Sequence, residues 1–348
     1  MIFVGDVSIA AGDRFRFEGF PDELCRQPLC LNLEGAVNDG TQVPDWGVYN
    51  APDWVESFRD FTLGPVFSAN NHIHDTRDGV RATQASLAAL GLRSFGAGTT
   101  PIEAALHVTA SSGSHAYALL GCGWHVIGCR VATERTPGVN PLEGNSLRQQ
   151  AAAALRAAPG HRVVVVLHGN YEFERYPQPG HRRLAMELVD LGVHAVVFHH
   201  PHIVGPVERY RDRPIAYSLG NWAFSYGRFF GGRLRLPETS FQQVALELGD
   251  GFDTVHHVRF SPPSTVIYER AESLEAADHS LRPAFEGLSH ADYVSWFRHN
   301  RVKRLGLPIY RSADSSVGNT LRDAWVAARQ RLVDAAAKRG LKPMRRSA

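Results

Sequence analysis

The chain has 348 residues, 44% apolar and 21% charged, the make-up of a soluble globular protein with room for one large domain or two ordinary ones. A net charge of +2 gives no reason to expect nucleic acid as a partner. No run approaches the roughly 20 apolar residues that span a bilayer, and Met1 leads into Ile2-Phe3-Val4 with neither a basic nor a long apolar leader, so a cytoplasmic protein without a membrane span is expected.

In chain order, Met1–Val7 reads as a buried strand that runs into Gly5-Asp6. Pro28–Leu33 is a second strand ending in Glu34-Gly35, and Val66–Ala69 a third ending in Asn70-Asn71-His72. Arg81–Leu90 reads as a helix closed by Gly91, and Pro101 opens a short helix to Leu106. Tyr117–Leu120 and Trp124–Cys129 are expected as two strands broken by Gly121 and Gly123, Arg130–Asn145 as loop, and Leu147–Ala157 as helix. The cysteines (Cys25, Cys30, Cys122, Cys129) lack CxxC spacing and read as buried thiols.

A strand–helix–strand unit follows: Val163–Leu167, a helix over Arg182–Leu191, and Ala195–Phe198. Each of its strands stops on histidine, His168 after the first and His199, His200 and His202 after the second. Ser240–Leu248 and Thr254–Phe260 form a hairpin pattern around Gly249-Asp250-Gly251. Beyond Ser273 the texture is helical, with helices over Asp292–Lys303 and Leu321–Lys338. Arg298, Arg301, Lys303 and Arg304 read as a solvated helix face before they read as contacts to an anionic substrate. The terminal basic cluster Lys338, Arg339, Lys342, Arg345 and Arg346 reads as a solvated tail.

Any one polar residue at a strand exit is an ordinary cap. Asp6, Glu34, Asn71, His168, His200 and His202 all fall at such exits, where parallel sheets gather their ligands. Carboxylate, amide oxygen and imidazole together are the donors for one or two divalent ions such as Mn, Fe or Zn in an open, catalytic site. Two such ions sharing a carboxylate can hold a bridging hydroxide as nucleophile. His72, beside Asn71, is then placed to protonate a leaving group. With no GxSxG and no Walker loop, serine-hydrolase and ATPase chemistry are not expected.

Gly5-Asp6, Asn32-Leu33-Glu34-Gly35, Asn70-Asn71-His72 with Asp75, Gly96-Ala97-Gly98, His168 with Glu172, His199-His200-Pro201-His202 and Tyr217-Ser218-Leu219-Gly220-Asn221 follow one another in an order that resembles the CapA family of bacterial capsule and poly-γ-glutamate synthesis proteins, over roughly residues 1–262. The resemblance implies an α/β calcineurin-like metallophosphoesterase sandwich, with β-sheets flanked by helices, over 1–268 and a C-terminal helical extension over 269–348. It also implies that Asp6, Glu34 and His202 hold one metal, that Glu34, Asn71, His168 and His200 hold the other, and that His72 is the acid. Ser8 stands where the superfamily has histidine, and Glu34 where it has the shorter aspartate. The expected activity is metal-dependent hydrolysis of a phosphoester or an amide (γ-glutamyl or peptide-like) bond in an anionic small-molecule or peptide-like substrate. The alternative is a non-catalytic assembly or binding subunit of polymer biosynthesis, with a polymer-synthesis partner or a homo-oligomer left open.

Overall fold

Side-chain alternation lays out the molecule. In the strand Arg162–His168, Val163, Val165 and Leu167 face one way and Val164 and Val166 the other, and all five are buried. A strand apolar on both faces needs cover on both sides. A computed structural model, which describes residues 1–38, 47–232, 234–276, 278–304 and 306–338, supplies it as a sandwich of two mixed sheets with helices outside, the expected α/β architecture. Of the terminal basic cluster, Arg339, Lys342, Arg345 and Arg346 lie outside the described residues.

The first sheet runs, edge to edge, Arg16–Glu18, Thr265–Ser273, Asp253–Ser261, Gln242–Leu248, Ile2–Ser8, Leu29–Leu33, Val66–Phe67 and Ser94–Phe95, with Asn221–Phe224 also paired to Ile2–Ser8. The second runs Val207–Tyr210, Arg213–Ala216, Ala195–His199, Arg162–His168, His115–Gly123 and Val108–Ser112. Its central strands, His115–Gly123, Arg162–His168 and Ala195–His199, are parallel. Between the sheets, Phe3, Cys30 and Phe67 meet Leu119, Val164, Val166 and Val197 in one core. Outside the second sheet, the helices Gly144–Ala157 and Pro179–Asp190 cover Val163, Val165 and Leu167 with Leu147, Ala151, Leu184 and Leu188.

Some sequence expectations need correction. Residues 115–123 form one strand, and Trp124–Cys129 is a short 3₁₀ turn rather than a second strand. Gly121 and Gly123 do not break the strand: a Cβ on Gly121 would fall 2.8 Å from the Phe67 ring, and one on Gly123 would fall 2.6 Å from the Ala69 carbonyl. They are glycine because the facing sheet comes that close. The expected loop 130–145 contains a two-residue strand, Gly138–Val139, paired to Ala97–Gly98. The strand Thr265–Ser273 crosses the expected 268/269 boundary, so the helical segment begins after it. Arg301 is not solvated: its guanidinium is buried and donates to the carbonyls of Arg304 and Leu307 as the chain turns away from the helix His290–Asn300. Cys30, Cys122 and Cys129 are buried free thiols, while Cys25 is half-buried.

The C-terminal segment is fastened to the second sheet by a buried ion pair. Arg182 donates to both carboxylate oxygens of Glu208, at 2.9 and 2.6 Å, and Tyr217 donates to Glu208 at 2.7 Å. The same guanidinium lies over the rings of Tyr293 and Phe285 and donates to the Leu288 carbonyl. Arg182→Met would leave Glu208 buried without its cation, so the midpoint of urea unfolding should fall by the equivalent of about 3–5 kcal/mol; a loss below about 1 kcal/mol would show that the pair is dispensable.

His181, next along the same helix, is 1% exposed against Trp124 and Phe198, with Nδ1 unpartnered. Burial, aided by His125, pushes its pKa from 6.5 down to about 3. The folded protein therefore binds fewer protons here than the unfolded chain. The stabilisation is complete above pH 6.5 and is lost as pH falls toward 3. His181→Leu should lose about 2 kcal/mol less than the parent between pH 7 and pH 5 in paired denaturation curves, and parallel curves would refute the assignment.

Candidate metal centre

The inner-facing register that builds the core ends in polar residues. Cys30 and Asn32 face the opposite sheet, and Glu34 follows in the same register just past the strand end. Val164 and Val166 lead to His168 in the same way, and Val197 leads to His199. Asp6 is brought in at a register irregularity in Ile2–Ser8, beside Asn221 of the neighbouring strand. Gly5 permits that approach, since a Cβ there would meet the Gly220 carbonyl at 2.1 Å. His200 and His202 leave their strand with φ of 97° and 58°, a left-handed backbone that costs about 1–3 kcal/mol at each non-glycine residue. That strain turns both imidazoles toward the strand ends.

The sequence-predicted ligands meet in one place. Asp6, Glu34 and His168 are fully buried, and His72, His200 and His202 nearly so. One oxygen of Glu34 and one nitrogen each of His168 and His200 lie within 4.8 Å of one another; atoms of Asp6, Glu34 and His202 form a second such group. The two groups share Glu34. Asn71 Oδ1 lies 2.8 Å from His168 Nε2, beside the first group. Ser8 takes no part, because its hydroxyl donates to the Tyr49 carbonyl at 3.0 Å. His72 stands at the rim: Asp75 holds its Nδ1 at 2.6 Å, and its Nε2 lies 3.8 Å from Glu34 Oε1.

Several residues that carry the site are ones to which sequence reasoning gave no role. Asn32 Nδ2 lies 2.8 Å from Asp6, 3.4 Å from Glu34 and 3.3 Å from His168 Nδ1. Asn70 accepts from the backbone of Gly35 and His72 and donates to the Leu33 carbonyl, clamping two ligand-bearing turns together. His199, grouped above with the converging imidazoles, donates to Asp6 at 3.1 Å. His202 Nδ1 donates to Asn221 at 2.9 Å, which directs Nε2 toward Glu34 at 3.6 Å. The sequence signal for these residues was their place in the family-like motifs, which named them without assigning them a role.

Charge follows burial. Burial pushes His168 and His200 well below the ordinary histidine range, so both are neutral donors at pH 7. Burial, with the Asp6 carboxylate beside it, pushes Glu34 well above the ordinary carboxylate range. Asp6 is as deeply buried, yet hydrogen bonds from His199 and His202 hold it well below that range. His202 resists burial because Glu34 and Asp6 lie beside it, and its pKa rises to about 10. Glu34 Oε1 and both His200 nitrogens have no hydrogen-bond partner. Orphaned buried polar atoms of this kind, a carboxyl oxygen and the lone-pair nitrogen of a neutral imidazole among them, are costly unless a partner completes them, so the residues present fit a divalent ion. Beside them opens a cavity of about 410 Å³, with Asn71, Glu172 and His200 on one side and Val326, Arg329 and Arg331 of the helix Val317–Lys338 on the other.

Residues 25–226 match the family model described as bacterial capsule synthesis protein PGA_cap. The PGA biosynthesis protein CapA of Bacillus subtilis is 30% identical over 176 residues, 50% of this chain and 46% of that protein. A Mycobacterium tuberculosis protein described as "Probable polyglutamine synthesis accessory protein" is 30% identical over 168 residues, 45% of this chain and 44% of that protein. This chain thus spans less than half the length of these relatives. Among solved structures, a novel phosphatase from Mycoplasma pneumoniae superposes with a TM-score of 0.40 and 9% identity, over 78% of this chain and 91% of that one.

Asn32 offers two hydrogens to two carboxylates and an imidazole, and among the described residues no other side-chain amide lies within hydrogen-bond distance of all three. Asn32→Leu should lower the metal-free unfolding free energy by about 1–3 kcal/mol, and added Mn or Zn should recover part of the loss. An unchanged denaturation midpoint without metal would show that Asn32 is not what holds the carboxylates together.

Proposed function

The chain belongs to the family of bacterial capsule synthesis proteins, and from that premise we propose that it is a metal-dependent hydrolase, acting on a phosphoester or an amide bond, γ-glutamyl or peptide-like, in the metabolism of a capsule or poly-γ-glutamate-type polymer. The observation that carries this reading is the pair of donor groups sharing Glu34, with Glu34 Oε1 and both nitrogens of His200 orphaned in the interior. Asp6, Glu34 and His202 would hold one ion, and Glu34, Asn71, His168 and His200 the other. Mn, Fe or Zn bound there supplies Lewis acidity to the reacting group and lowers the pKa of water.

The chain's own residues do the rest. Asp75 fixes the His72 ring through Nδ1, so Nε2 is the atom that faces the carboxylates and passes a proton to the leaving group. His199 and Asn221 hold Asp6 and His202 in position. The walls around the donors exclude water, which strengthens each charge interaction inside.

A relative's description as an accessory protein favours a second reading, in which the same fold serves as an assembly subunit and turns nothing over. The two separate on one set of samples. Protein purified without chelator should carry one to two equivalents of metal by plasma mass spectrometry, and His200→Ala should lose it. His72→Gln should keep the metal but turn over phosphoesters or γ-glutamyl amides ~10²–10⁴-fold more slowly. Full metal with no hydrolysis of either class would establish the accessory reading.

A further inference from the structure

We infer that the C-terminal helix Val317–Lys338 is the specificity wall of this pocket and, with Arg130, reads the anionic, non-reacting end of the ligand through Arg329 and Arg331. The inference rests on the reading above only in taking the candidate metal centre as the pocket floor. Floor and wall come from different parts of the chain: Asn71, Glu172 and His200 lie inside the segment that matches the family model, whereas the wall lies about a hundred residues beyond its end. The floor therefore lies in the segment that matches the family, and the helix that faces it is supplied by a segment outside the match.

The wall is a built feature. Asp323 accepts from Tyr310 at 2.7 Å and pairs with His125 at 3.0 Å, tying the helix to the 3₁₀ turn that follows the central strand His115–Gly123. Trp325 Nε1 donates to the Gly306 carbonyl at 2.7 Å, and Asn319 donates to the carbonyls of Ser312 and Asp314, both at 2.9 Å. Val326, 9% exposed, is the residue by which the helix packs inward.

The lining gives the ligand's chemistry. Three arginines, Arg130, Arg329 and Arg331, line the cavity together with two acids, Asp75 and Glu172. Asp75 is engaged with His72. Glu172 is 7% exposed, and its Oε2 is buried without a partner, so it calls for a donor from whatever fills the cavity. Ile127, Leu307 and Val326 supply apolar contact. The ligand that satisfies this set has an apolar body, an N–H or O–H donor, and a carboxylate or phosphate group directed at the arginines.

The test uses the full chain and three probes that contain no hydrolysable bond: phloretate (a phenol bearing a carboxylate), its phosphonate counterpart, and the neutral methyl ketone of the same skeleton. By calorimetry at low salt, the anions should bind about tenfold more tightly than the ketone, and Arg331→Glu and Arg130→Glu, both at exposed positions, should each remove most of that advantage while leaving the ketone unchanged. The tighter anion tells whether the wall is set for carboxylate or phosphate. Equal binding of anion and ketone, anion binding that ignores both arginine substitutions, or no binding of any probe would overturn the inference. Metal content is measured on the same samples. Anion discrimination in protein that takes up no metal would refute the hydrolase reading and leave the wall standing, whereas metal-loaded protein without discrimination would do the reverse.

Discussion

Two carboxylates, Asp6 and Glu34, lie without solvent exposure in the seam between two β-sheets, and most of this structure can be understood as the means of keeping them there. An ionised carboxylate stripped of water is unstable unless donors or cations surround it. Asp6 is surrounded by His199, His202, the Asn32 amide and the His200 backbone N–H. Glu34 is not, and one of its oxygens remains orphaned. The asymmetry sorts their protonation in opposite directions, Asp6 down and Glu34 up. Such a divergence follows from unequal donors in one water-free seam, hydrogen bonds on Asp6 and burial beside a like charge on Glu34. The left-handed backbone at His200 and His202 fits the same pattern, since strain of that kind persists only where surrounding structure imposes it.

The sandwich makes the seam possible. Parallel strands end together, so their last inner-facing side chains converge without any loop having to reach for them. The cores on either side of the sheets fix the strand positions, and the site inherits that rigidity. Asn70 and Asn50 then staple the turns after the strands, Asn70 through Leu33, Gly35 and His72, and Asn50 through the carbonyls of Glu34 and Gly35. Few of these bonds are to solvent-facing groups, which is what a low-dielectric site requires.

This division explains what could be read from the sequence and what could not. The strand–helix–strand unit around His168 and His200 was legible because the apolar run Val163–Leu167, bounded by Arg162 and His168, has few other uses, and most of the candidate ligand positions were legible because they follow such runs, Asp6 lying instead within its strand. Trp124–Cys129 misled because it is apolar and short, and periodicity cannot tell a buried strand from a buried turn of that length. The strands Val207–Tyr210, Arg213–Ala216 and Thr265–Ser273 were passed over because their polar and charged residues alternate weakly. Asn32 was invisible as a bridging donor, since nothing local says that a strand asparagine will meet residues 6 and 168. Arg182 was hidden likewise: nothing local says that Glu208 and the rings of Phe285 and Tyr293 will be placed around it.

The same logic separates the floor of the pocket from its wall. The floor is held by sheet hydrogen bonds and by a buried network that joins Asp6, Asn32, His168, His199 and His202 and leaves Glu34 Oε1 and the ring nitrogens of His200 unpartnered, so a change at one of the joined positions propagates to the others. The wall is held differently. The helix Val317–Lys338 meets the body of the protein through side-chain bonds that include those at Asn319, Asp323 and Trp325 and through the apolar contact of Val326, while Arg329 and Arg331 also line the cavity. A substitution at the exposed Arg331 should therefore alter which ligand is held without disturbing the donors beneath it. A buried floor of polar donors, faced by a helix from a distant part of the chain, is an arrangement in which the side chains of a single helical face can change without touching the residues beneath.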